Sequence, residues 1–536
     1  MRKRFTWLTF GVALLWSSVL MADVKPHVLF GDHMVLQRDV PIKVYGQADP
    51  GENVTVTLGG KSGQAVADKS GGWLVTLGAL PAGGPLEMTI AGKNTVTIKD
   101  ILVGDVWVCG GQSNMILDVG TKGGLFDKAP GDKTKMRLFR VEGRQLADPQ
   151  DSCGGQWTAA TAETVADFSN VGFHFGANLQ AKLGVPIGLI SNSVGGTTSQ
   201  EWLPHDAYAQ TDEGKKFLAK WDAEIEKNRQ EWKTFADTKA AWQAAGANKG
   251  NKPPSPKGFC PMTRYNGWTH PLIRFPIKGY AWYQGEWNSG SINGVGPAEY
   301  DKFLPLTIEW YRKLWNEPDM PFMIVQLPNY GQQRSDTPSY TGWPNTQEVQ
   351  LKTWLKTPGV GMAVTVDIGG ALHPGNKDIV GQRLALAALA VTYGQKIEYS
   401  GPIYKSMAVE GGRVRVTFDH VGSGLMARDP ETKKEGGPLK GFALAGDDKE
   451  FYPAQAVIDG NTVVVSCDKV AKPVAVRYAF HQNPQCDLYN KEGLPASPFR
   501  SDAWPMPGRK RPAGKAAPKS AGTTATAPPA PPLSPP

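Results

Sequence analysis

Ile101-Leu102-Val103-Gly104-Asp105-Val106-Trp107-Val108-Cys109-Gly110-Gly111-Gln112-Ser113-Asn114-Met115 decides the fold class. A strongly apolar run with one acid inside it stops on two glycines and puts out a serine. The glycines permit a tight turn, and the serine then lands at the carboxyl edge of a sheet, beside the next helix's N-terminus. Asn114-Met115 follow the serine, so this is not a G-x-S-x-G nucleophile elbow. A turn serine or a helix N-cap is the plain reading of most Gly-Ser pairs, and a catalytic reading needs partners elsewhere in the chain.

The chain has 536 residues, more than one core usually serves, and two to four domains are expected. A hydrophobic content of 40% with 17 Trp suits a well-packed globular body. The net charge of +8 belongs to the two ends: Arg2, Lys3 and Arg4 at one, and Arg509, Lys510, Arg511, Lys515 and Lys519 at the other. The body between is close to neutral and shows no electrostatic footprint for nucleic acid. Residues 1–22 read as an export signal, with Arg2-Lys3-Arg4 ahead of an apolar stretch from Phe5 to Leu20 and a small residue at Ala22. That stretch is short for a membrane span and carries Thr and Ser, so the expectation is cleavage, a periplasmic or extracellular protein, and no lasting membrane insertion. Cys109, Cys153, Cys260, Cys467 and Cys486 are scattered without metal-ligand spacing, and Cys467 with Cys486 is the most local candidate for a disulfide.

Short alternating runs broken by Gly, Pro and Asn make residues 23–99 a small β-sandwich-like region. Residues 100–395 alternate strand-like runs (Val185 to Ser191, Ile277 to Tyr283, Phe322 to Gln326, Met362 to Asp367) with helical ones (Phe173 to Leu183, Tyr300 to Trp315, Lys377 to Tyr393), which argues a parallel α/β sheet. A charged helical insertion at about 205–258 reads as one or two helices, a lid or a surface hairpin. Alternation returns over 396–505 as a second β-region, and 506–536 is Pro/Ala-rich, basic and has almost nothing to bury.

Each α/β strand end offers polar residues where ligands usually bind. Beside Ser113 these are Asn192, Ser193, Gly195, Gly196 and Thr197, then Gln284-Gly285-Glu286-Trp287-Asn288, then Asp367 and His373-Pro374. Acyl transfer needs this inventory of a nucleophile, a base and donors aimed at a developing oxyanion. Each residue also has a structural reading: a His-Pro turn, a glycine loop, a buried polar network. His270 is a rival base, and His174 lies in an amphipathic helix where packing explains it. Trp202, Trp268, Trp282 and Trp287 offer faces for sugar rings, or belong to the core.

Taken together, Gly110-Gly111-Gln112-Ser113-Asn114-Met115, Gly188-Leu189-Ile190 through Gly195-Gly196-Thr197 to Glu201-Trp202, Trp282-Tyr283-Gln284-Gly285-Glu286-x-Asn288 and Asp367-x-Gly369 to His373-Pro374-x-Asn376-Lys377 through Gly381-Gln382-Arg383-Leu384-Ala385 resemble the sialate O-acetylesterase family, a branch of the SGNH (GDSL-like) hydrolases and their carbohydrate esterase relatives. Met34-Val35-Leu36-Gln37-Arg38 and Leu488-Tyr489-Asn490 to Pro495-Ala496 extend the likeness to about Arg500. The resemblance implies Ser113 as nucleophile and His373 as base. Its oxyanion hole would combine the Ser113 amide, a glycine amide from Gly195-Gly196 and a side-chain amide, Gln284 first and Asn288 second. No metal or organic cofactor is implied. Many relatives place an aspartate two or three residues before the histidine, where this chain has Gly370 and Ala371. Asp367, Glu286 or a backbone carbonyl is left to orient the imidazole. The expected substrate is an O-acetylated sugar: a sialic acid by the family label, or an acetylated plant polysaccharide. A carbohydrate-binding protein that has lost catalysis is the remaining alternative.

Overall fold

The computed structural model describes residues 23–505 except 121–123, 247–252, 257–258, 291–295, 332–333 and 339–341. The expected export signal at 1–22 and the tail at 506–536 lie outside the described residues. The described residues up to Ser501 form one compact unit.

The stretch that opens the sequence reading is the end of a 17-residue strand, β1 (Thr95–Gly111). Its first half pairs antiparallel with Gly83–Ala91, and its second half is the middle of a parallel sheet. One strand thus runs across residues 99 and 100, where the sequence pattern changes from β-rich to α/β. The other strands of the central sheet are β2 (Met136–Arg140), β3 (Trp157–Ala159), β4 (Ile187–Ser193), β5 (Gly279–Tyr283), β6 (Phe322–Val325) and β7 (Val360–Ala363). Their order is β3-β2-β4-β1-β5-β6-β7, parallel except for β3 at the edge. After β1 the chain builds β2 to β4 on one side and then β5 to β7 on the other. The carboxyl end of β1 is therefore a topological switch point, the place in an open α/β sheet where a crevice forms.

Helices cover the sheet: α1 (Ser113–Ile116), α2 (Asn170–Leu183), α3 (Asp212–Ala244), α4 (Glu286–Ser289), α5 (Pro297–Trp315), α6 (Gly342–Lys356) and α7 (Lys377–Val391). The Ser169 side chain caps α2 by accepting from the Gly172 N–H, and Gly184 ends it in the left-handed region. The expected helices and strands are present with ends shifted by a few residues. Sequence periodicity had not marked β2 or α6. Among the described residues the insertion holds a short helix, His205–Ala209, and the 33-residue α3, whose Leu218 and Ile225 pack in a cluster with Tyr208, Phe303 and Trp310. Among the described residues no helix is long and apolar enough to cross a membrane.

The carboxyl-terminal β-region contains two four-stranded sheets. Arg413–Asp419 alternates buried and exposed residues, as a strand with one covered face must. This region is bonded to the α/β body: Gln326 Nε2 donates to Ser497 Oγ over 2.9 Å and Arg500 pairs with Glu348. All five cysteines are free, which corrects the Cys467–Cys486 expectation; Cys467 Sγ is directed to the Pro453 carbonyl and Cys486 Sγ to that of Val366.

The one acid of the apolar run, Asp105, is fully buried. Arg38 grips it with two hydrogen bonds of 2.9 and 3.0 Å, Gln37 adds one of 3.2 Å, and the Tyr393 hydroxyl donates a fourth over 3.0 Å. The amino-terminal Gln-Arg pair is thereby locked to the central strand. Arg38→Met removes the charge partner while leaving the carboxylate buried, and is expected to cost about 3–5 kcal/mol. Chemical denaturation of the purified protein checks this; a change within 1 kcal/mol, on the order of a surface substitution, refutes it.

Candidate active site

Ser113 stands at the switch point because Gly111 bends the chain there. Gly111 has φ 134°, and a Cβ on it would lie 2.1 Å from the Tyr283 carbonyl oxygen of β5, so only glycine fits. The backbone is pinned on both sides: the Gln112 N–H donates to the Tyr283 carbonyl and the Val194 N–H to the Gly111 carbonyl, each over 3.0 Å. These bonds set the ends of β4 and β5 against the end of β1.

His373 Nε2 lies 2.9 Å from Ser113 Oγ. The pair joins positions 260 residues apart and gives the serine a base within proton-transfer reach. Gly195 follows β4 and borders the serine: a Cβ built on it would be 3.6 Å from that of Ser113. Gly195 and Gly196 are exposed, and among the described residues their N–H groups have no acceptor. They are available to an oxyanion.

The expected side-chain donors to that oxyanion are placed differently. Gln284 and Asn288 are wholly buried. Gln284 Nε2 is directed at the Asn288 Oδ1 (2.7 Å), the Thr197 carbonyl (3.2 Å) and Gln112 Oε1 (3.3 Å). Asn288 accepts from the Ser199 N–H and donates to Gln200. These amides knit the β1, β4 and β5 loops together and, unlike the glycine amides, are already hydrogen-bonded within the protein. The physical reason is that amides without water must find protein partners.

The two carboxylates expected to orient the imidazole have other partners in this structure. Asp367 Oδ1 and Oδ2 accept from Arg383 over 2.6 and 2.8 Å, and Tyr489 donates to Oδ2 over 3.0 Å. Burial opposes its charge, but Arg383 and the hydrogen bonds outweigh burial and hold the carboxyl below its ordinary range. Asp367 thus anchors the loop to α7 and to the carboxyl-terminal region. Glu286 is engaged through one oxygen: Oε1 accepts from Asn114 Nδ2, and Oε2 is buried without a partner among the described residues. Burial raises its carboxyl to about 7. Among the described residues neither carboxylate is hydrogen-bonded to His373.

Asn114, within the quoted motif but without an assigned role, is the residue that does reach the histidine loop. Its Nδ2 donates to the Leu372 carbonyl over 3.0 Å, one residue before His373, as well as to Glu286. Its Oδ1 accepts from Lys377 Nζ, which also lies over the Tyr283 ring. One buried amide therefore bridges a carboxylate, an ammonium and the base's own backbone. Burial lowers the Lys377 amine to about 8. Lys377 opens α7, where a cation opposes the helix dipole, so its place answers to the site rather than to the helix. Burial first, and then the charge of Lys377, push His373 below its ordinary pKa of 6.5. The rival histidines are elsewhere: His270 Nδ1 meets the Gln150 carbonyl at 2.8 Å, and His174 is buried against Gly381. Among the described residues no group of His, Cys, Asp and Glu is arranged to hold a metal ion.

Two expectations follow. His373 activates the serine only when neutral, so labelling of Ser113 by a fluorophosphonate should rise with pH through a midpoint below 6.5, and Lys377→Met should move that midpoint upward. Mass-spectrometric labelling rates check both; a midpoint that is unmoved in the variant removes Lys377 from the account. Asp367→Asn should lower stability by about 3 kcal/mol or more, because it leaves the Arg383 charge buried without its partner; thermal or urea unfolding reads this out.

No family model matches the chain. Curated relatives do: a sialate O-acetylesterase of Mus musculus is 27% identical over 87% of this chain and 92% of its own length. Another of Homo sapiens is 26% identical over 91% and 95%. Among solved structures, a carbohydrate acetylesterase from Xanthomonas citri is similar at 34% identity and a TM-score of 0.75, covering 90% of this chain and 100% of that one. Likeness of that extent, with the serine, glycine and histidine segments converging on one switch point, makes the protein a carboxylic ester hydrolase, and the chain belongs to the sialate O-acetylesterase family of carbohydrate esterases.

Proposed function

We propose that Ser113 attacks the acetyl carbonyl of an O-acetylated sugar while His373 takes the serine proton. The N–H groups of Ser113 and Gly195 receive the negative charge on the carbonyl oxygen. His373 returns the proton to the departing sugar hydroxyl, and water then releases acetate from the acyl-enzyme by the same steps in reverse. The observation that carries this reading is the 2.9 Å Ser113 Oγ to His373 Nε2 approach next to exposed, unpartnered glycine amides. The imidazole acts as a dyad member, held through its backbone by Asn114 rather than by a carboxylate on Nδ1. In this reading the α/β body is an SGNH-type catalytic domain between two β-sandwich-like regions, and the amino-terminal signal sends the chain to the periplasm or the cell exterior.

Acetate release from an aryl acetate tests the chemistry. The wild type is expected to turn over, and Ser113→Ala to lose at least about a thousandfold in kcat. An inactive wild type refutes the esterase reading, and an undiminished variant refutes the nucleophile. Acetylated sialic acid and acetylated xylan, compared at equal ester concentration, then rank the two substrate classes.

A further inference from the structure

The rim of the site is apolar in a way the esterase chemistry does not require. Ten large apolar side chains are exposed among the described residues, and three of them, Leu117 (38%), Trp287 (37%) and Leu372 (40%), are carried by the segments that supply Ser113, the β5 loop and His373. Leu117 ends α1, with its N–H on the Ser113 carbonyl. Leu372 directly precedes the base. Trp287 edges the glycine loop: its ring atoms lie 3.4–3.9 Å from where a Cβ on Gly196 would be, one residue from the glycine that touches Ser113.

The four tryptophans of this sheet edge have separate fates. Trp202 and Trp282 are buried and packed edge to face at 5.8 Å, and Trp268 lies under the Arg264 guanidinium. Trp287 alone of the four is exposed. Its backbone is held by α4, whose Glu286 and Asn288 are buried on either side of it in sequence, so the indole is presented from a fixed base. The indole N–H has no acceptor among the described residues. Exposing an indole beside a catalytic serine forgoes the burial that an aromatic of this size normally gains, and a ligand that covers it recovers that gain.

We propose that Trp287, flanked by Leu117 and Leu372, is the sugar platform of this site and takes the C–H face of an uncharged O-acetylated pyranose, with the indole N–H offered to a ring hydroxyl. The axial C–H groups of a pyranose carry partial positive charge and suit the negative face of the indole. Charge at the rim favours a neutral sugar. Among the described residues of 112–118, 194–197, 285–290 and 370–376, no Lys or Arg is exposed, and the exposed carboxylate is Asp118. Asp118 is a like charge for a sugar acid, and those described segments offer no exposed cation to receive one.

This inference rests on the proposed esterase reading, and the test separates the two. Acetate release is measured from methyl 6-O-acetylglucopyranoside, from 9-O-acetylated sialic acid and from ethyl acetate, which has no ring to stack. In Trp287→Ala, kcat/KM for the glucoside should fall at least tenfold further than for ethyl acetate, mainly through KM, and Trp287→Phe should restore most of it. The wild type should favour the glucoside over the sialic acid. An equal loss on glucoside and ethyl acetate, or no loss on the glucoside, overturns the platform. A preference for the sialic acid overturns the neutral class. A wild type that hydrolyses ethyl acetate and neither sugar overturns the sugar substrate itself, and the platform with it.

Discussion

The site depends on one loop crossing the sheet. Ser113 follows the central strand β1, but His373 follows β7, three strands away at the edge. Residues 364–376 must therefore travel inward across the carboxyl ends of β6 and β5 and stop with the imidazole within 3 Å of the serine. A free loop of that length would spread its ordering cost, roughly 1–2 kcal/mol per residue, over many conformations. It is instead fastened along its length. Asp367 grips Arg383 and Tyr489, the Gly369 and Gly370 N–H groups bond to Asn329, and the Leu372 carbonyl is held by Asn114. A Cβ on Gly369 would lie 1.8 Å from the Asn329 carbonyl oxygen, so glycine at that position is a condition of the crossing.

That crossing explains why the β-region after residue 396 belongs to the enzyme's working part. Tyr489 reaches Asp367, and Asn483 bonds to Asn329 and to the Gly331 carbonyl, so the carboxyl-terminal strands brace the histidine loop from outside. The amino-terminal region does the same for the nucleophile through Arg38 and Asp105, on the strand that ends at Gly111. Both β-regions act on the site through a buried carboxylate: Asp105 is paired with Arg38, and Asp367, paired with Arg383, takes the Tyr489 hydroxyl. Such pairs contribute little net stability but are costly to break, which suits them to fixing register.

Beneath the dyad, the polar groups divide into two layers. Gln284, Asn288 and Gln200 are hydrogen-bonded in series and join the loops after β4 and β5. Asn114, Glu286 and Lys377 form the other, in which burial raises the acid's pKa and lowers the amine's. Burial and then the charge of Lys377 lower the pKa of the nearby imidazole, which favours the neutral form a general base needs.

Local chemistry determined much of this from sequence alone. An apolar strand stopping on Gly110-Gly111 before Ser113, alternating α and β runs, and polar residues at each strand end were enough for the sheet and for the serine's place at its edge, while the choice of His373 over His270 came from the family resemblance. Segment periodicity was legible because it depends on neighbours two to four residues apart. Side-chain partnership was not, because it depends on residues far apart in the chain. Asp367 stands beside Gly369 in a motif that reads as catalytic, yet Arg383 and Tyr489 claim it. Gln284 and Asn288 lie in a motif that reads as an oxyanion hole, yet they are buried with each other. Asn114 sits inside the first motif noticed and its bridging role was invisible, since Glu286, Leu372 and Lys377 meet it only in the folded chain. Sequence determined which groups are available and at which strand ends they emerge; tertiary structure decided which of them are used up in burial and which stay open, because a buried polar group must take whatever partner the fold brings to it.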